Sequence, residues 1–192
     1  MITVTKELAE TFYIIILGVG FSVTAKPIDL IDENKWIKGL PGFLLKYLFV
    51  LIFSGVVYLS LQMNRNLTPH FLALFLFWIL NGKLNYPSHV LFAFIPALIM
   101  GKMLTLEYIL LAVVGLLVYG MLELLVKRCN NSMVQLILYK SLVRFLVVPF
   151  CLGAYLYDFT ALIYTVSGLL SMHLVRYLIR VNIIKISEGR KT

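Results

Sequence analysis

Charged residues are scarce in this sequence. They make up 14% of its 192 residues, whereas about 25% is usual for a soluble domain, and 61% of the residues are hydrophobic. A soluble core of this size cannot bury so much apolar side chain, because a small protein keeps a large share of its surface in water. The composition therefore excludes a soluble enzyme, a nucleic-acid-binding domain and a disordered chain, and it predicts an integral membrane protein.

Cysteine and acidic residues are also few. Cys129 and Cys151 have no metal-ligand spacing, and we expect no disulfide, because one lies in a predicted loop and the other in an apolar run. Nine Asp and Glu residues stand against 17 Lys and Arg residues, which gives a net charge of +8. In a membrane protein this excess is expected from cations retained in cytoplasmic loops and attracted to anionic lipids.

Long apolar runs are what the sequence has in abundance. A transmembrane helix needs about 20 mainly apolar residues. Five segments meet this length: 8–25, 42–62, 104–126, 135–157 and 159–184. Segments 67–82 and 88–102 are shorter, and this pair either spans or re-enters the membrane. We therefore predict an all-α integral membrane protein, a compact bundle of five long helices plus the short pair. It would have five to seven spans in one domain covering residues 1–192.

The segment 26–41 between the first two spans is predicted to be a polar loop or an interfacial segment. Asp29 and Asp32 stand three residues apart in it, a spacing that could hold a magnesium ion on a lipid pyrophosphate. We favour a simpler interpretation, in which these acids form a solvated run that balances the neighbouring lysines. Lys46, near the start of the second span, is expected to snorkel toward the lipid headgroups.

The distribution of Lys and Arg predicts the orientation. Basic residues cluster in the first loop, around Lys127 and Arg128, and near the C-terminus, whereas the turn at Asp158 has no cation. Placing the three basic segments in the cytoplasm puts the N-terminus outside and the C-terminus inside. We therefore expect a multi-pass protein of the cell membrane. A re-entrant pair adds no crossing and a spanning pair adds two, so the assignment holds in both cases.

Charged residues within the later spans form the first candidate site. They are Glu123, Lys140, Arg144, His173 and Arg176. Antiparallel packing about the two intervening turns would place Glu123 level with Lys140 and Arg144 level with His173. Charges at this depth are costly and normally face the bundle interior or a wet cavity. The pattern is consistent with a cytoplasm-facing anion site in which Arg144 and Arg176 bind a phosphate or carboxylate.

A simpler interpretation of these charges is also open, and it is the one we favour. Glu123 would pair with Lys127 one helical turn away instead of holding Lys140, and the arginines would snorkel to the lipid headgroups.

The connection between the two short helices is the second candidate site. Its polar and aromatic residues are Asn81, Lys83, Asn85, Tyr86, Ser88 and His89. Gly82 and Pro87 break both helices here, and backbone groups exposed in this way are tolerated at membrane depth only inside protein or beside a wet cavity. A half-helix that begins at Pro87 would direct the positive end of its dipole at an anion. An ordinary loop is the alternative, which we slightly favour.

Two ladders of small residues predict close helix packing. Gly18 with Ser22 is one, and Ala93, Ala97 and Gly101 form the other. Small residues at this spacing let the backbones of neighbouring helices approach closely in lipid. Such ladders serve internal packing more often than contacts between subunits.

The sequence favours a transport protein over an enzyme. It contains no HExxH, GxSxG or GxGxxG motif, and we assign no catalytic residue, cofactor or metal ligand. We expect a transport protein, or a membrane subunit of a transport assembly, that recognises a small anion or a phosphate-bearing amphiphile near the cytoplasmic side. The alternatives are a membrane-embedded enzyme acting on a lipid-linked phosphate and a structural subunit of a larger complex. Expected partners are membrane lipids and other membrane subunits, and no nucleic acid.

The predicted orientation can be tested by labelling single cysteines. After replacement of Cys129 and Cys151, Asp158→Cys should react with a membrane-impermeant thiol reagent added to intact cells, and Arg190→Cys should not. The reverse labelling pattern would overturn the orientation.

Overall fold

The computed structural model describes residues 2–32, 37, 39–82, 85–128 and 144–189, with side chains from Glu7 onward except at 144, 176 and 179–189. Over these residues the chain forms seven helices and no strand. The helices are α1 (Ile2–Asp32), α2 (Gly39–Met63), α3 (Leu67–Leu80), α4 (Pro87–Gly101), α5 (Leu106–Arg128), α6 (Arg144–Leu156) and α7 (Thr160–Gly189). Helix α1 packs against α2 and α7, α3 packs against α5, and α6 packs against α7.

The all-helical class is confirmed, and three helices are long and apolar enough to cross a membrane. These are Glu7–Asp32 within α1, Gly39–Met63 and Leu106–Arg128. Many of their large apolar side chains are exposed, as expected of surfaces that face lipid. The predicted span 135–157 is described only from residue 144, and the apolar part of α7 is Thr160–Val175. Five long spans therefore remain a prediction.

The first helix is longer than predicted, because α1 runs through Pro27 and ends at Asp32. The expected polar loop is thus helical over its first turns. Two apolar residues of this extension, Ile28 and Ile31, are buried, and Lys26 pairs with Asp29 at 3.0 Å. Burial of one face and an ion pair on another compensate for the hydrogen bond that proline cannot donate.

Hydrogen bonds at one extremity of the bundle join three connections. Asn64 and Asn66, between α2 and α3, both donate to Asp158 Oδ2, at 2.7 and 2.8 Å. Tyr108 near the start of α5 donates to Asn66 Oδ1 at 3.0 Å. We call this extremity the Asp158 end. The opposite extremity, where α1 ends and α2 and α4 begin, is the Asp32 end.

The two short helices run the whole distance between these ends. Asn66 before α3 lies at the Asp158 end, whereas Ser88 in the first turn of α4 contacts Asp32 at the other. Lys102 caps the end of α4, and Tyr108, six residues later, is back at the Asp158 end. The turn between α3 and α4 therefore lies at the opposite extremity of the bundle from the ends at which α3 begins and α4 ends.

Aromatic side chains fill the interior between the two ends. The rings in mutual contact are Phe21, Phe53, Phe71, Phe75, Trp78 and Phe92. Phe53 and Phe92 are stacked with their centroids 3.8 Å apart, and Phe71 and Phe75 are almost completely buried. These rings, contributed by four helices, form the apolar core of the bundle.

Close packing of α1 on α7 depends on Gly18. A Cβ atom at this position would lie 2.1 Å from Ser167 Oγ and 2.4 Å from the Tyr164 carbonyl oxygen. Ser22 is buried at the same interface, so this ladder serves internal packing as predicted. In the other ladder Ala93 is buried, but Ala97 and Gly101 are exposed in the described structure.

Gly18→Ala should destabilise the protein by about 1–3 kcal/mol, because the added methyl group forces α1 away from α7. Gly55→Ala is the matched control, since Gly55 is helical and no described atom lies within 4 Å of its Cβ position. We expect the control to be neutral or slightly stabilising. Thermal unfolding in detergent measures both, and equal effects would contradict the close approach.

Asp158 is the acceptor that holds its end of the bundle together. Besides Asn64 and Asn66, the backbone N–H of Thr160 donates to Oδ1 at 2.9 Å. Burial alone raises the pKa of Asp158, but the hydrogen bonds from Thr160, Asn66 and Asn64 outweigh this effect and place the pKa below its ordinary value. The adjacent Tyr157 is 95% exposed, so it is a better cysteine position for the labelling experiment.

Asp158→Asn should lower the melting temperature at neutral pH, because the ionised carboxylate is the form that these donors stabilise. A lowered folded-state pKa contributes stability that is complete above the ordinary carboxyl pKa and is lost as the pH falls through the lowered value. The difference between wild type and variant should therefore shrink in acid. Melting curves at about pH 7 and about pH 3 provide the measurement, and a pH-independent difference would contradict the assignment.

Candidate functional site

Two polar segments meet at the Asp32 end. The last turn of α1 carries Asp29 and Asp32 on neighbouring positions of one face, and α4 begins at Pro87, followed by Ser88 and His89. Proline suits the first position of a helix because no hydrogen-bond partner is needed for its nitrogen there. Ser88 and His89 are buried, with 0% and 6% exposure. The helix start predicted at Pro87 is confirmed, and its first turn lies against α1.

The Asp32 carboxylate is bound from two sides. Lys46 Nζ of α2 lies 2.7 Å from Oδ1, and the Ser88 hydroxyl of α4 donates to Oδ2. His89 Nε2 is 3.9 Å from Oδ2. The side chains of Asp32 and Lys46 are 6% and 16% exposed, so this ion pair is mostly removed from solvent. The first turn of α4 favours a nearby negative charge, and the Asp32 carboxylate supplies that charge.

His89 connects Asp32 to the second acid, Asp29. Its Nε2 is 3.6 Å from Asp29 Oδ1, and its Nδ1 is 3.2 Å from Asn85 Oδ1. Lys26 is also 3.0 Å from Asp29 Oδ2. The His89 Nδ1 is thus within hydrogen-bond distance of Asn85, whereas its Nε2 faces the two carboxylates at longer range. We call Lys26, Asp29, Asp32, Lys46, Ser88 and His89 the Asp32 cluster.

One expectation for this region is wrong in part. Asp32 is not solvated, because its side chain is 6% exposed, although the Asp29 side chain is 42% exposed. The Lys46 ammonium group binds Asp32, and its expected position at the lipid headgroups stays a prediction. Extension of α1 past Pro27 places Asp32 between α2 and α4.

A cleft opens beside the Asp32–Lys46 pair. Its volume is about 270 Å³, and its described lining residues are Ile31, Asp32, Ile37, Gly39, Gly42, Phe43 and Lys46. Gly42 is required by the close approach of the chain, because a Cβ atom there would lie 2.2 Å from the Ile37 carbonyl oxygen. The cleft therefore has apolar walls with a buried ion pair at one side.

The residues of the 81–89 connection differ in their surroundings. Asn81 is exposed, and its side chain donates to the Phe77 carbonyl at 2.8 Å, which caps α3. Asn85 is exposed and contacts His89, whereas Ser88 and His89 are buried in the Asp32 cluster. Lys83 lies outside the described residues. The connection is thus a solvent-exposed turn followed by two buried site residues.

For the first candidate site, the described contact agrees with the simpler interpretation. Glu123 Oε1 is 3.6 Å from Lys127 Nζ, one helical turn away on α5. Lys140 lies outside the described residues, so its pairing with Glu123 stays a prediction.

The antiparallel pairing of α6 and α7 about Asp158 agrees with the predicted hairpin. His173 is exposed on α7 and does not face the described interior. Arg144 and Arg176 belong to α6 and α7, but their side chains lie outside the described part of the structure. An anion site at these arginines therefore stays a prediction.

The pairing of the two polar segments and the buried position of His70 were not predicted from the sequence. The spanning alternative for residues 67–102 would have placed 26–41 and 81–89 on one side of the membrane, and this was a signal that they could meet. His70 lies inside the bundle with its Nε2 3.1 Å from Thr165 Oγ1. Thr165 donates its own proton to the Ala161 carbonyl, so the His70 Nε2–H donates to Thr165. A single histidine in an apolar run gives no sequence signal for this contact.

The geometry of the cluster suits binding better than catalysis. Ser88 donates to Asp32, and His89 lies on the same carboxylate, so the histidine is not placed to accept the serine proton. Among the residues that the structure describes, no group of three or more His, Cys, Asp or Glu side chains could hold a metal ion.

Comparisons with protein-family models, with curated proteins and with solved structures find no match to this chain.

The Asp32–Lys46 pair can be tested by a double-mutant cycle. Asp32→Asn and Lys46→Gln should each be strongly destabilising, by up to about 3–5 kcal/mol, because each leaves the partner charge buried without its counter-ion. The double variant should recover part of the loss, because it leaves neither charge behind. Melting temperatures in detergent give the coupling energy, and simple additivity would show that the two residues do not interact.

Proposed function

We propose that this protein is a multi-pass membrane transport protein, or the membrane subunit of a transport assembly, that binds an amphiphile with an anionic headgroup. The binding site is the cleft beside Asp32 and Lys46. The observation that carries the proposal is the composition of this cleft, in which apolar side chains adjoin a lysine that is paired with Asp32.

The chemistry of the cleft matches an amphiphile. Ile31, Ile37 and Phe43 offer apolar contact to an acyl or prenyl chain, and the Lys46 ammonium group offers a charge-assisted hydrogen bond to a phosphate or carboxylate. Lys26, a second cation of the cluster, lies on α1 and pairs with Asp29.

The bundle geometry supports seven spans with the Asp32 end in the cytoplasm. By sequence position, Lys6, Arg65 and Lys102 flank the Asp158 end, and the other fourteen of the 17 Lys and Arg residues lie toward the Asp32 end. Cytoplasmic segments carry such an excess of cations. The seven helices alternate in direction, which would put the N-terminus outside and the C-terminus inside. The ligand would then enter from the inner leaflet or the cytoplasm.

Binding of an anionic amphiphile can be measured by native mass spectrometry of the purified protein in a mild detergent. Phosphatidic acid is titrated against phosphatidylcholine with the same acyl chains, so that the two lipids differ only in the headgroup. We expect selective retention of phosphatidic acid by the wild type. The double variant Asp32→Asn with Lys46→Gln, which leaves no uncompensated buried charge, should lose about tenfold in affinity, as expected for one charge-assisted hydrogen bond.

Lys102→Gln is the matched control, because Lys102 is exposed near the Asp158 end and its loss changes the net charge without touching the cleft. It should leave the selectivity unchanged. Equal affinity of the wild type for both lipids, or equal loss in the control, would contradict the proposal.

A further inference from the structure

The cation of the cleft already has an anion bound to it. Lys46 and Asp32 both line the cleft, and the lysine ammonium group is 2.7 Å from Asp32 Oδ1. A carboxylate and a phosphate make the same kind of charge-assisted hydrogen bond to an ammonium group. Any anionic headgroup that reaches Lys46 must therefore compete with Asp32 for it.

The two oxygens of Asp32 have different partners, which makes this competition feasible. Oδ1 faces Lys46 on α2, whereas Oδ2 accepts from Ser88 and lies 3.9 Å from His89, both on α4. If Lys46 turns to a ligand, Asp32 keeps the hydrogen bond from Ser88 and the favourable field of the first turn of α4. A buried carboxylate without any partner would cost several kcal/mol, and the Ser88 hydroxyl prevents that situation.

The lysine is suited to change partners. Its ammonium group is a compact charge on a flexible four-carbon stem, so it can change partners by rotation without movement of the backbone. The Lys46 side chain is 16% exposed and lines the cleft directly. Asp32 is fixed more firmly, because it lies at the junction of α1, α2 and α4.

We propose that Asp32 is an exchangeable internal counter-ion: it neutralises Lys46 when the cleft is empty, and the ligand's phosphate or carboxylate takes its place when the cleft is filled. This inference rests on the proposed function and adds a rule for selectivity. The ligand must carry an anionic group strong enough to displace a carboxylate, so neutral and zwitterionic lipids would leave the Asp32–Lys46 pair intact.

The test compares phosphatidic acid affinity in variants that make opposite predictions. Asp32→Asn removes the competitor and should tighten binding by about tenfold. Glu107→Gln is the matched control: it removes the same charge, but Glu107 is exposed in the first turn of α5, near the Asp158 end, and does not line the described cleft. It should change the affinity by less than about twofold. Ser88→Ala removes the hydrogen bond from α4 to Asp32. The carboxylate then depends more on Lys46, so lipid binding should weaken.

The results distinguish failure of the counter-ion exchange from failure of the proposed function. Unchanged or weaker binding by Asp32→Asn, or equal tightening by Glu107→Gln, overturns the exchange while leaving the binding function intact if the wild type still prefers phosphatidic acid. Absence of binding in both the wild type and Asp32→Asn overturns the proposed function itself. If Asp32→Asn does not fold, Ser88→Ala carries the test, and unchanged or tighter binding by that variant overturns the exchange.

Inorganic phosphate serves as a second probe in the same variants. Competition of phosphate with phosphatidic acid in Asp32→Asn would show that Lys46 binds a phosphate group that has no acyl chain. Failure of phosphate to compete would show that the apolar walls must also be filled, so that the ligand is a lipid. Both results are compatible with counter-ion exchange. They distinguish free phosphate from a lipid headgroup as the source of the anion.

Discussion

Burial of the Asp32 charge is the constraint around which one end of the bundle is organised. A carboxylate removed from water needs several donors at once, and no single helix can supply them. Here α2 provides Lys46, and α4 provides Ser88 and His89. The end of α1 and the starts of α2 and α4 must therefore converge on one point. This convergence also creates the cleft, because its described walls are the segments that bring those helices together.

The opposite end uses the same physical principle with neutral donors. Asp158 gathers two asparagine side chains and a backbone N–H, and Tyr108 extends the network to α5. Between the two polar ends the interior is aromatic and close-packed. Polar groups thus specify where each helix begins and ends, whereas apolar packing and the Gly18 contact determine how closely the helices approach.

The two ends differ in what they can do. Asp158 has neutral partners that remain bound to it, so its network is suited to holding connections in place. The Asp32 cluster pairs a carboxylate with a flexible cation beside an open cleft, and its carboxylate has a second set of donors on α4. An ion pair of this kind contributes little net stability, because desolvation offsets the attraction, but it keeps a binding cation neutralised inside the bundle.

The sequence by itself determined the class of the protein and the positions of most helices. Its scarcity of charge excluded a soluble fold, and Pro87 and the apolar runs predicted where α4 begins and where α2 and α5 lie. The Gly18–Ser22 ladder also predicted a close contact correctly, because close helix approach in lipid requires small residues at that spacing.

Only the tertiary structure decided which polar residues share a site. Local rules ended the first span at residue 25 and suggested that Asp32 is solvated, yet burial of Ile28 and Ile31 carries α1 onward and places Asp32 beside Ser88. The contact joins residues 56 positions apart, and no local periodicity encodes such a distance. Helix positions follow from short-range patterns, whereas the partners of a buried charge depend on how whole helices pack.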